Sequence, residues 1–424
     1  MKKLVLVSLL CINFLFIGFS QEIVKESVST PIIENETFNP DISTEYYLNT
    51  LSPEQKQKSD SYFEGGYWLG LWGFLMELVI AFIFLSLGLS KWIKNIAEKV
   101  RNIHIQGFIY VAIYFLFSYI LTFPFSLYQG FFREHKYGLS NLDFIGWFSE
   151  EMIGLSLSLA FGSILLTFLY AVIRKVKQNW WIWGSGIMVL FLVFSMFISP
   201  VFISPLFNDY KPLENQEIKE EILSMARANG VPADNVYQFD ASKQSNRISA
   251  NVSGFGSTIR VSLNDNLLNE CTPAEIKSVM AHELGHYVLN HVYEMLIYIA
   301  LLIFIGFAFI NWAYNKLITR FKNKWAISGI ADIGGLPLIV FLFTAFFFIA
   351  SPIMNNIVRS NEVEADYFGL NTAREPDGFA SVSMKLSTYR KIDPGKFEEI
   401  FLFDHPSGKT RVSTAMHWKA EHLE

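Results

Sequence analysis

A mainly helical protein that crosses a membrane several times is what the sequence predicts, and three observations predict it. First, 51% of the 424 residues are hydrophobic and only 17% are charged, against roughly 25% in ordinary soluble domains. A soluble chain of this length needs more polar side chains to cover its surface. Second, the apolar residues are gathered into six stretches almost free of Asp, Glu, Lys and Arg: Gly65–Ser90, Gln106–Phe132, Met152–Ile173, Gln178–Asn208, Met295–Asn315 and Ile333–Val358. Third, Lys and Arg concentrate in every other connection between those stretches, as they do when alternate loops stay in the cytoplasm. The formal net charge of −5 provides no basic surface for nucleic acid, so no nucleic-acid partner is expected. Two cysteines, Cys11 and Cys271, allow neither a disulfide framework nor a cysteine-rich zinc site.

Taken in order, residues 1–20 open with Lys2 and Lys3 and continue as the apolar run Leu4–Phe19 before Ser20. That is short for a span, and its basic start and small final residue fit a signal peptide or a first transmembrane helix. Residues 21–64 are acidic and polar without a clear period, and read as an extracytoplasmic segment. Residues 65–208 hold four of the apolar stretches. Each reaches the ~20 residues that carry a helix across ~30 Å of hydrocarbon, and backbone polar groups in lipid must be satisfied within the segment, which makes these stretches helices. Glu77 interrupts the first of them. A charge at mid-span costs about 2.5–3.5 kcal/mol against lipid, so it is expected to face the bundle. Residues 209–291 and 359–424 are the two long polar regions, separated by two further spans in 292–358. Neither polar region is long enough for a comfortable core of its own, so the two are expected to pack together at one membrane surface.

Chemistry concentrates on one helix. Thr272-Pro273-Ala274-Glu275 is a capping box with proline at the first helical position. The helix it starts runs into His282-Glu283-Leu284-Gly285-His286. Histidines at i and i+4 leave the same face one turn apart, close enough for both rings to bind one tetrahedral Zn²⁺. Glu283 is placed beside them to take a proton from a water that the metal acidifies from a pKa of ~15.7 toward ~7. This is the His-Glu-x-x-His signature of metalloproteases. His291 lies five residues beyond His286, off the ligand face, and reads as a packing or supporting residue.

A catalytic zinc site wants a third protein ligand and an open position. Besides the pair and His291, the histidines are His104, His135, His405, His417 and His422. A better source is Glu362-Val363-Glu364-Ala365-Asp366, directly after the last span. On a helix Glu362 and Asp366 share a face while Glu364 points elsewhere. One of the two can bind metal and the other orient a ligand histidine through its second ring nitrogen; spacing leaves open which does which. Two strands are expected around Gly254 and Gly256, over Ile248–Phe255 and Thr258–Leu263.

In these residues the chain resembles the CAAX prenyl protease 1 family of integral-membrane zinc metallopeptidases. The resemblance runs from about Tyr47 to the end. It includes Phe131-Phe132-Arg133-Glu134-His135-Lys136-Tyr137-Gly138, Ser204-Pro205-Leu206-Phe207-Asn208, His282–His286, the Glu362–Asp366 run, and His405-Pro406 with Arg411. It implies a ring of six or seven transmembrane helices around a chamber, capped by a zincin-like α+β metalloprotease domain made of residues 209–291 and 359–424. It implies one Zn²⁺ per chain with Glu362 as third ligand, Asp366 as the carboxylate behind a histidine, and His405 and Arg411 on the substrate carbonyl or developing oxyanion. It places Asn251-Val252-Ser253-Gly254 on an edge strand that binds the substrate backbone. There the sequence departs from the family, reading Ser249-Ala250-Asn251 at the strand start.

The implied partners are the lipid bilayer and peptide or protein substrates, lipid-modified and membrane-inserted ones included. The rival functions are a transporter or channel with a structural zinc site, and strict processing of prenylated C-terminal motifs. Thirteen Lys and Arg lie in one set of connections and five in the other. By the positive-inside rule the metal domain then lies outside the cytoplasm, whereas the eukaryotic members of the family place it in the cytosol. The expected location is a bacterial inner membrane.

Overall fold

The computed structural model describes residues 19–20, 38–254 and 259–423. Residues 1–18 of the expected signal peptide or first transmembrane helix, Cys11 among them, lie outside the described residues, as does the Phe255–Thr258 part of the expected hairpin. The described chain is mainly helical, with five helical runs long and apolar enough to cross a membrane: Pro53–Ser86, Ile103–Lys136, Phe144–Leu206, His291–Trp325 and Ile333–Ala373. The run Phe144–Leu206 is folded on itself. Its reversal falls at Lys177, whose φ of 51° is unusual for a residue with a side chain. The Leu169 side chain lies 3.2 Å from where a Cβ on Gly184 would stand, so the two arms are antiparallel neighbours. Each of the six apolar stretches therefore occupies its own helix.

Three helices extend well past their apolar stretches. Pro53–Ser86 starts twelve residues before Gly65 because Ser52 and Gln55 form a capping box with Pro53 at the first position. His291–Trp325 overruns its stretch at both ends. The third, Leu336–Ala373, is one continuous 38-residue helix, so the last span passes unbroken into the Glu362–Asp366 run. The bundle packs around Phe84, Tyr110, Tyr170, Trp180, Ile310 and Tyr314, all but closed to solvent. Phe82, Ile120, Ile164 and Leu190 point outward and are exposed, as lipid-facing residues are. Glu77 is only 1% exposed; it faces the bundle interior.

Outside the bundle a four-stranded sheet runs in the order Tyr210–Pro212, Val236–Phe239, Arg260–Asn264, Ala250–Ser253. The strand Ala250–Ser253 pairs antiparallel with Arg260–Asn264, Ala250 opposite Leu263 and Ser253 opposite Arg260, and forms one edge. The sheet and the helices Gln216–Ala228 and Pro273–Val288 share a core of Ile222, Val236, Val261, Leu263 and Met280. A further cluster joins the C-terminal helices to the segment before the first span: Leu48, on the helix Pro40–Leu48, packs with Phe379, Val412, Ala415 and Trp418. The Tyr47 hydroxyl donates to Asp377 at 2.9 Å. Part of the polar 21–64 region is thus an ordered helix clamped on the C-terminal half.

Candidate metal centre

Two crossing helices build the site. Pro273–Val288 begins with both halves of the Thr272–Glu275 capping box in place and carries His282, Glu283 and His286. Leu336–Ala373 carries Glu362 and Asp366 one turn apart. Close contact between them depends on Gly369, where a Cβ would stand 3.1 Å from the backbone nitrogen of His282.

The His282 and His286 Nε2 atoms lie 3.1 Å apart. Glu362 places Oε2 3.4 Å from His282 Nε2 and Oε1 3.4 Å from His286 Nε2. Four ligands at 2.0–2.1 Å around a tetrahedral zinc stand about 3.4 Å from one another, so this triangle of two imidazole nitrogens and one carboxylate fits the ion. Among the described residues these three are the group of histidines and carboxylates close enough to share a metal. Of the two carboxylates, Glu362 faces both Nε2 atoms, while Asp366 Oδ1 lies 2.8 Å from His282 Nδ1, behind the ring.

Arg411 comes in from the helix Gly408–His422. Its Nη2 donates to Glu362 at 2.8 Å and its Nε lies 3.0 Å from Asp366 Oδ2. Both carboxylates are therefore gripped by one buried guanidinium. His405 puts Nε2 3.4 Å from Glu362 Oε1, and its Nδ1 lies 2.9 Å from Asp404 Oδ1. That second contact leaves Nε2 as the ring atom facing the site. Of the remaining histidines, His135 bonds Phe131, His417 bonds Ser413 and His422 bonds Trp418, all within their own helical turns and outside the triangle.

The electrostatics of the site are uneven. Burial opposes charge on His282, but the flanking Asp366 and Glu362 outweigh it and hold the imidazole up at about 10. Burial, aided by His282 and His291, pushes His286 down to about 3, which leaves its lone pair free. Burial, with Glu362 adding to it, pushes Glu283 up to about 7, in the range that suits a group accepting and returning a proton near neutral pH.

His291 has a more definite place than helical spacing suggests. Asn290 has a φ of 62°, a left-handed turn that ends one helix and folds the next back. His291 is 3% exposed, and its Nδ1 lies 2.9 Å from His286 Nδ1. Its Nε2 lies 3.4 Å from Glu364 Oε2. The sequence signal for this was Asn290, a residue that tolerates positive φ, directly before His291. Asp404, adjacent to His405, also belongs to the site, and no motif or spacing marks it.

The edge strand Ala250–Ser253, with Asn251, Val252 and Ser253, packs beside the helix of the histidine pair, and Gly254 follows it with a φ of 95°. The Phe131–Gly138 motif ties the segment just before this strand, at Arg247, to the bundle. Glu134 Oε2 meets Arg247 Nη2 at 2.5 Å, Tyr62 donates to Glu134 Oε1 at 2.7 Å, and Arg247 donates to the Tyr62 hydroxyl at 2.7 Å. Arg133 donates to the Tyr62 carbonyl.

Comparison with known proteins agrees with this geometry. Residues 212–419 match the family model described as peptidase family M48. Residues 40–209 match the one described as CAAX prenyl protease N-terminal, five membrane helices. The chain is similar to an uncharacterized metalloprotease, YhfN, of Bacillus subtilis, 29% identical over 370 residues and covering 86% of each chain. It is similar to CAAX prenyl protease 1 of Saccharomyces cerevisiae, 25% identical over 402 residues, 88% of this chain and 87% of that one. Its fold is similar to the crystal structure of S. mikatae Ste24p, with a TM-score of 0.73 at 23% identity, over 89% of this chain and 94% of that one.

Proposed function

Because the chain belongs to the CAAX prenyl protease 1 family of integral-membrane metalloendopeptidases, we propose that it is a zinc enzyme whose single Zn²⁺ is held by His282, His286 and Glu362. The observation that carries this is the triangle of donor atoms at 3.1–3.4 Å. When bound there, zinc supplies an acidified water and polarises the scissile carbonyl.

The rest is done by side chains of this chain. The substrate backbone adds to the free edge of Ala250–Ser253, gaining main-chain hydrogen bonds with little sequence preference. Glu283 accepts the proton of the attacking water and hands it to the leaving amine. His405, oriented by Asp404, donates from Nε2 to the developing oxyanion. Arg411, already engaged by Glu362 and Asp366, acts by holding those carboxylates in place and adding positive charge behind them. Asp366 accepts from His282 Nδ1–H and so turns the Nε2 lone pair of His282 toward the metal. His291 does the same for His286, accepting its Nδ1–H while its own proton sits on Nε2 toward Glu364.

Two features support an extracytoplasmic site. The helix Pro40–Leu48 rests on the C-terminal half, so the segment before the first span and the metal centre share one side. The Lys- and Arg-rich connections gather at the other end of the bundle, where residues from three of them line one cleft. By the positive-inside rule that end is cytoplasmic. In a bacterial inner membrane the site then faces outward, and we read its substrates as misfolded or translocation-stalled membrane proteins. The name of its yeast relative, CAAX prenyl protease 1, carries the alternative, lipid-modified C-terminal peptides.

Trapping with the Glu283→Gln protein followed by proteomics tests this. Recovery of unfolded extracytoplasmic segments supports the reading, and recovery restricted to lipidated C-terminal peptides overturns it. A C-terminal reporter fusion active only in the cytoplasm would reverse the assigned orientation.

A further inference from the structure

At the end of the bundle remote from the metal centre lies a cleft of about 720 Å³. Its walls come from three separate connections. The first contributes Lys94, Glu98 and Gln106, the hairpin corner contributes Arg174, Lys177 and Gln178, and the last contributes Asn311, Asn315 and Asp332. Nothing in the proteolytic mechanism uses it.

The charges in this cleft are not balanced group by group. Both carboxylates sit on the same lysine: Lys94 Nζ is 2.8 Å from Asp332 Oδ2 and 3.9 Å from Glu98 Oε1. Asp332 is further saturated by the backbone N–H of Ser328 and of Gly334, each at 3.0 Å. Arg174 and Lys177 are left over. Among the described residues neither has a carboxylate at ion-pair distance, and Arg174 Nη2 is shut off from solvent without an acceptor. An anion in the cleft would meet the charge of both side chains, and a phosphate does so best, since its oxygens match both the planar fork of Arg and the point charge of Lys.

The surroundings say where such a phosphate comes from. The three connections carry eleven Lys and Arg against two carboxylates, a field that draws anions to this end. Trp183 and Trp312, each within one helical turn of a lining residue, are both 60% exposed. Exposed tryptophans of this kind sit at headgroup depth, and basic pockets between transmembrane helices at that depth take anionic headgroups.

We propose that this cleft is a binding site for a phosphate group, held by Arg174 and Lys177 and supplied by an anionic phospholipid of the surrounding leaflet. The site is independent of the metal centre and of the protease reading.

The test uses the full-length protein in detergent, delipidated and then offered phosphatidylglycerol, phosphatidylcholine or inorganic phosphate, with retained lipid counted by native mass spectrometry. The proposal expects phosphatidylglycerol to be retained at least tenfold more tightly than phosphatidylcholine. It expects an Arg174→Gln/Lys177→Gln double variant to lose that preference. A Lys322→Gln/Lys324→Gln variant, with the same charge change on exposed residues outside the cleft, should keep it. Casein cleavage and a single elution peak certify that each variant is folded. Equal retention of the two lipids, or unchanged preference in the Arg174/Lys177 variant, overturns the site. Displacement of phosphatidylglycerol by millimolar inorganic phosphate overturns the lipid as its source.

Discussion

At the scale of single residues, the centre is a set of lone pairs aimed by their neighbours. Asp366 lies 2.8 Å from His282 Nδ1 and His291 2.9 Å from His286 Nδ1, and in the proposed mechanism each takes the Nδ1 hydrogen of its ring. Replacing His291 with Phe should therefore weaken zinc binding by about 10–100-fold, read by competition with a chelating dye. An Asn at that position, which can still accept a hydrogen bond, should recover part of the loss. Asp366→Asn should cost a similar factor, because an amide no longer holds the His282 tautomer. A different residue gives a control away from the metal. Burial, with Glu275 adding to it, pushes the Cys271 thiol up to about 12. Near neutral pH the thiol is then protonated and poorly nucleophilic. Alkylation of the Cys271 peptide by iodoacetamide, followed by mass spectrometry, should be negligible in the native protein and rapid after denaturation.

The scale of elements explains why the site exists where two helices cross. Gly369 lets the span-derived helix lie against the backbone of His282, and a methyl group there would meet that backbone nitrogen at 3.1 Å. Gly369→Ala should push the helices apart and open the triangle, lowering zinc content while the protein stays folded; metal analysis of the purified variant checks this. The strand side is anchored differently, by the nearly buried Glu134–Arg247 pair. Glu134→Gln leaves Arg247 short of its carboxylate and should destabilise the protein by about 3–5 kcal/mol, seen as a lower unfolding temperature in detergent.

The same elements show what the sequence could and could not reveal. The metal helix was legible through its capping box and the i, i+4 histidines, and the spans through their apolar blocks. The start at Pro53 was readable from Ser52 and Gln55 but was hidden by the polar character of residues 53–64, which carry the helix beyond the apolar stretch. His291 reads as a packing or supporting residue from its spacing, but its contact with His286 was not legible, because helical spacing holds only while the helix continues and Asn290 ends it. The ion pairs of Arg411 with Glu362 and Asp366 could not be read at all. They join residues about fifty positions apart, and no periodicity reports such a contact.

For the molecule as a whole, composition and function meet in the placement of few charges. One group, on the helices Pro273–Val288, Leu336–Ala373 and Gly408–His422, builds the centre; another lines the opposite end of the bundle. The bundle is apolar on its outer face, while its interior buries Glu77 and hydroxyl side chains such as Ser118, Thr122, Ser163 and Ser195. The central claim is that this membrane protein hydrolyses peptide bonds at the His282–His286–Glu362 centre with Glu283 as proton carrier. Its most direct test is casein hydrolysis by purified Glu283→Gln protein with the metal content of the same sample measured alongside. The account predicts one zinc per chain, as in the unmodified protein, with hydrolysis lowered by at least about 10²-fold. Hydrolysis at the unmodified rate by a zinc-loaded Glu283→Gln protein would contradict it.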